Sequence, residues 1–130
     1  MFIWLNNTIN ALEYDWSKFN TTRSSVEVIR IHNYDEFEQH IIANGLPEGI
    51  CLNYDLGAEK SGFDCVRFLT RYCMNYALPL PQYAFQSNDP TGHISMQLML
   101  DRYQHFYDTI CPQPGYSALV ADGFDQELPF

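Results

Sequence analysis

Gly49-Ile50-Cys51-Leu52-Asn53-Tyr54-Asp55-Leu56-Gly57 runs from a short apolar segment straight into a polar, glycine-closed turn. Four small or apolar residues without alternation, bounded by turn formers, read as a strand buried on both faces. The next segment is helical: Phe63, Val66, Leu69 and Cys73 share one stripe of a helix from about Gly62 to Tyr76. Upstream, Asn33 is placed to cap a helix, with Glu36 as its capping-box partner. Tyr34, Phe37 and Ile41 carry that helix's apolar spacing, Asn44-Gly45 ends it, and Pro47 guards the exit.

The same alternation extends outward. Met1-Phe2-Ile3-Trp4-Leu5 is a first apolar strand, stopped at Asn6-Asn7-Thr8. Residues 8–25 read as a long polar and aromatic loop, with a helical turn near 12–19. Val26-Glu27-Val28-Ile29-Arg30-Ile31 is β-branched and makes the second strand. Tyr83-Ala84-Phe85 is a fourth strand, closed by Gln86-Ser87-Asn88-Asp89. Pro90 suits the first turn of a last helix, whose inner stripe is Met96, Met99, Tyr103 and Phe106. Val120 marks a candidate fifth, edge strand. Strands alternating with helices specify an α/β fold: a single doubly wound, mostly parallel sheet of four or five strands with helices on both faces. The expected organisation is one domain over 1–107 and an acidic, proline-containing extension over 108–130, packed on or flanking it.

Composition narrows the function. The chain has 130 residues, 46% of them hydrophobic and 15% aromatic, enough for one sizeable core. Sixteen Asp and Glu against seven Lys and Arg give a net charge of −9, which disfavours direct nucleic-acid binding. No apolar run reaches the length of a membrane span, and no signal segment is visible, so the expectation is cytoplasmic with no membrane role. The cysteines at 51, 65, 73 and 111 show no C-x-x-C pair and no zinc spacing; buried, reduced thiols are expected. His32, His40, His93 and His105 have no ligand spacing to one another. There is no glycine-rich phosphate loop, and Ser87 lacks a nucleophile elbow.

In an open parallel sheet, ligands bind beyond the carboxyl ends of the strands. That rule selects Leu5-Asn6-Asn7, the 52–57 turn and the 86–92 segment. These residues carry a resemblance. Leu5-Asn6-Asn7 resembles the Leu-Asp-Asp that closes the first strand of response-regulator receiver domains. Asn53-Tyr54-Asp55-Leu56-Gly57 with Gly62-Phe63-Asp64 is similar to the Asp-His-Asp-Leu-Gly and Gly-Tyr-Asp of the cyclic-phosphate-processing receiver branch. Ser87-Asn88-Asp89-Pro90-Thr91-Gly92 with Met96 resembles that branch's Ser-x-Asn-Pro-x-Gly and Met. The resemblance covers roughly residues 1–107 and implies a receiver, or flavodoxin-like, fold. Against it, Asn6, Asn7 and Asn53 stand where the family has acids, Tyr54 where it has His, and Asp89 where it has Asn.

Those differences set the functional expectations. Mg²⁺ prefers carboxylate oxygens, and an amide offers one neutral carbonyl instead. An amide also cannot become an acyl phosphate. The expectation is a degenerate receiver-like regulatory module, more a binding protein than an enzyme, that is not phosphorylated and acts through protein contacts. Its partner would carry a basic patch, or be a second copy. No cofactor is expected beyond weak Mg²⁺, with Asp55 the residual metal ligand. Asn6, Asn7, Asn53, Asp55, Ser87, Asn88, Asp89 and Gly92 are the expected ligand-binding set, for a phosphate or nucleotide. The alternative is an enzyme that binds or processes cyclic phosphates or nucleotides, a phosphohydrolase or cyclic phosphodiesterase with Asp55, Ser87 and His93 as catalytic candidates. A third reading makes the acidic chain an inhibitor of a nucleic-acid-binding protein.

Overall fold

The computed structural model describes residues 1–5, 27–57, 59–85 and 90–109. Four strands and three helices succeed one another: β1 (Phe2–Leu5), β2 (Val28–Ile31), α1 (Tyr34–Asn44), β3 (Gly49–Leu52), α2 (Gly62–Tyr76), β4 (Gln82–Phe85) and α3 (Pro90–Thr109). The expected turn at 12–19, the edge strand at Val120, Cys111 and residues 110–130 of the extension lie outside the described residues. No helix among the described residues is long and apolar enough to cross a membrane.

All strand pairs are parallel, in the order β2-β1-β3-β4. Every residue of β1 and β3 is buried, so the apolar runs that lack alternation occupy the middle of the described sheet. Side chains still alternate between its faces. Ile3, Leu5, Ile31, Ile50 and Leu52 join the buried residues of all three helices in one core cluster. Phe2, Trp4 and Cys51 point the other way and form a second cluster with Val28 and Ala84. The three described helices therefore cover one face. The topology accounts for α1 and α2, because β2→β3 and β3→β4 step in the same direction and right-handed crossovers then fall on the same side; α3 joins them through the buried Met96, Leu100 and Tyr103. The β1→β2 connection steps the opposite way, through residues outside the described set.

Local chemistry places each helix. Asn33 Oδ1 accepts from the Glu36 N–H at 2.9 Å, as the sequence predicts. The reciprocal half of the box is displaced by one residue: Glu36 Oε2 accepts from the His32 N–H at 2.9 Å, with His32 Nδ1 3.2 Å away. Gly45, at φ 81°, closes α1 by donating to the Ile41 carbonyl at 2.8 Å. Ser61 and Asp64 form a full capping box on α2; Asp64 Oδ2 accepts from the Ser61 N–H at 2.7 Å. In α3 the fully buried stripe is Met96, Leu100 and Tyr103, while Met99 and Phe106 are half-buried at its edge. The Tyr103 hydroxyl crosses to the segment before β4 and donates to the Leu78 carbonyl at 2.6 Å.

Cys51, Cys65 and Cys73 are buried thiols. Burial pushes the Cys65 thiol far above its usual range and the Cys73 thiol up to about 12. In a Cys111→Ser chain, none of the three should react with a disulfide reagent at about pH 8 until the protein unfolds; rapid labelling of the native chain would contradict this burial. Tyr103→Phe should lower stability by about 1–2 kcal/mol, since it strands the Leu78 carbonyl; chemical denaturation measures it.

Candidate functional site

Four of the expected site residues are described, and the fold gathers them at one edge of the sheet. Asn53 and Asp55 come directly after β3; Gly92 and His93 open α3 after the neighbouring β4. Register puts Leu52 beside Phe85, so both segments leave the sheet side by side. Asn6, Asn7, Ser87, Asn88 and Asp89 lie outside the described residues.

Asn53 is only 9% exposed. Its Nδ2 donates to the backbone carbonyl of Asp55 at 2.7 Å. Only the amide can make this bond at neutral pH, because an ionised carboxylate has no proton to donate. Asp55 is exposed, and its Oδ1 accepts from the Gly57 N–H at 2.9 Å in an Asx turn. Gly57 takes φ 67°, the left-handed conformation that favours glycine. Leu56, between them, is buried at 3% exposure and pins the turn to the core.

Two glycines let helices close on this turn. A Cβ on Gly62 would collide with the Asn53 carbonyl oxygen, and the Gly62 N–H donates to the Tyr54 carbonyl at 2.7 Å. The N-terminus of α2 thus rests directly on the end of β3. A Cβ on Gly92 would strike the Tyr54 ring, so that ring lies flush against the first turn of α3. His93, half-buried, stacks on Phe85 with ring centroids 4.1 Å apart and planes 29° apart.

The glycines and Asp64 of the motifs accordingly have structural roles: close approach at Gly62 and Gly92, a positive φ at Gly57, and a helix cap at Asp64. Sequence reasoning named Tyr54 without giving it a place in the site. It also walls a groove of about 260 Å³ with Phe63, Ser95, Leu98, Met99 and Arg102. The available signal was Gly92, a buried helical glycine that needs a large neighbour to explain it. Among the described residues, no group of three or more His, Cys, Asp or Glu is arranged to hold a metal ion; Asp55 remains the candidate.

Gly92→Ala should destabilise the fold by about 1–3 kcal/mol through this clash, and Tyr54→Ala in the same chain should recover much of the loss. Additive losses in the double-mutant cycle would contradict the contact.

No match was found among curated proteins or among solved structures. Residues 2–102 match a family model described as the cyclic-phosphate processing receiver domain. With the parallel β2-β1-β3-β4 sheet and the turn at the end of β3, this match shows that the chain belongs to the cyclic-phosphate processing receiver domain family.

Proposed function

We propose that this chain is a receiver-shaped binding module that takes up no phosphoryl group and works through protein contacts. The observation that carries the reading is the Asn53 amide donating to the Asp55 carbonyl at 2.7 Å. Asn53 directly follows β3, where receivers carry a phosphoacceptor carboxylate. An amide cannot become an acyl phosphate, and its N–H₂ here is committed to holding the turn. Asp55 turns one oxygen inward to Gly57, which weakens it as a lone Mg²⁺ ligand. Asn6 and Asn7, which follow β1 in the sequence, add two more amides where receivers carry acids.

The contact surface in this reading is the outer side of α3. Ile94 is 66% exposed and Leu98, one turn on, 47% exposed. Leu98 also rims the groove walled by Tyr54, Phe63 and Met99. Exposed apolar side chains beside a groove favour docking. A net charge of −9 favours a partner surface with basic groups around an apolar centre.

A second reading is supported by the family's description and by His93 at the start of α3, stacked on Phe85. In it a cyclic phosphate lies against the helix N-terminus, with Asp55, Ser87, Asn88 and Asp89 around it and His93 as proton donor or acceptor.

Incubation with acetyl phosphate and Mg²⁺ should leave the intact mass unchanged. A phosphoryl adduct on the unaltered chain would contradict the first reading. Turnover of 2′,3′- or 3′,5′-cyclic nucleotides, lost in His93→Gln, would establish the second; an inactive protein leaves the first.

A further inference from the structure

A cleft separate from the strand-end site lies between α1 and α2. It has a volume of about 320 Å³, and its lining includes Tyr34, Glu38, Lys60, Arg67, Phe68 and Arg71. Three of the chain's seven Lys and Arg therefore meet at one place in a protein of net charge −9. Arg67 and Arg71 stand four residues apart on α2, hence on one helical face. Lys60 reaches in from the loop before α2, its Nζ 4.1 Å from the centroid of the Tyr34 ring.

Among the described residues, none of the three cations belongs to an ion pair. The Nε of Arg71 is buried with no hydrogen-bond partner. A buried guanidinium N–H without an acceptor is costly, and such groups are normally satisfied. Arg71 lines the cleft, so an anion bound there would offset this cost by pairing with the same guanidinium.

The other lining groups restrict the ligand further. Glu38 and Asp64 also border the cleft. Asp64 already caps α2 through Oδ2, whereas Glu38 sits on α1 across the cleft; burial first, and then Glu38, hold the Tyr34 hydroxyl above its usual pKa. A bare anion gains from the cations but is repelled by these carboxylates. A ligand that adds hydroxyl donors to its phosphoryl group satisfies both. The volume sits at the lower end for small-molecule sites and suits a sugar phosphate better than a peptide.

We propose that the α1–α2 cleft binds a small phosphorylated polyol, with Arg67, Arg71 and Lys60 holding the phosphoryl group and Glu38 accepting sugar hydroxyls. This site is independent of the strand-end corner and of the function proposed for it.

Ribose 5-phosphate is the probe, titrated by calorimetry or by NMR of the arginine Nε–H signals at low ionic strength. Saturable binding is expected, weakened at least about tenfold by Arg67→Gln and by Arg71→Gln. Arg30→Gln, an exposed arginine on β2 outside the cleft, should bind as the parent does. Inorganic phosphate should bind more weakly and ribose not detectably. Arg67 is exposed, so its variant should fold normally; loss of binding there reports the cleft and not a failure to fold. Absence of ribose 5-phosphate binding, binding unchanged in Arg67→Gln, or equal affinity for inorganic phosphate would overturn the proposal.

Discussion

The Asn53 side chain donates to the carbonyl two residues ahead, and the geometry of the strand-end corner depends on that bond. It turns the chain as it leaves the central strand. The turn then lets Leu56 drop into the core, sends the Tyr54 ring against Gly92, and leaves Asp55 to bind the Gly57 N–H. Gly62 sets α2 on the carbonyl of the same asparagine. Two helix N-termini are therefore fixed relative to β3 by contacts with residues 53 and 54. Had position 53 carried an ionised carboxylate, the Asp55 carbonyl would lose its donor.

Around this corner the fold is held by ordinary means. The middle strands are buried along their whole length, and α1, α2 and α3 share one continuous core with the strand residues that face them. Aromatic edges tie α1 to α2: Phe37 and Phe68 meet in a T-shaped pair at 6.2 Å, as do Tyr34 and Phe68. That packing also brings Lys60, Arg67 and Arg71 together across from Glu38. One helix interface thus serves both stability and the concentration of positive charge.

Much of this was legible in the sequence where local and global signals agreed. The cap Asn33 and the terminating Gly45 mark the ends of α1 in the sequence to within a residue or so, because each satisfies backbone groups that any helix leaves open. Uninterrupted apolar runs at 2–5 and 49–52 announced strands with no solvated face. The stripe of α3 was less readable. Ile94, Met96, Leu98, Met99 and Leu100 are apolar nearly all round the helix, so periodicity alone could not prefer Leu100 to Met99. At the site, Asn53 looked like any turn-forming asparagine, and nothing local showed which group its amide would meet. Arg67 and Arg71 were visibly on one face, but their meeting with Lys60 is a product of how α1 packs on α2.

The central claim is that position 53 must donate a hydrogen bond. Thermal or denaturant stability of Asn53→Asp, compared with the parent chain across acidic to neutral pH, tests it most directly. A carboxylic acid can donate to the Asp55 carbonyl, whereas the carboxylate cannot, so the fold favours the protonated form. The variant's deficit should be small below the ordinary carboxylate pKa of about 4 and should grow to about 1–3 kcal/mol as the pH rises through the higher folded-state value and the acid ionises. A variant as stable as the parent at neutral pH, or one whose deficit appears only on acidification, would contradict the account.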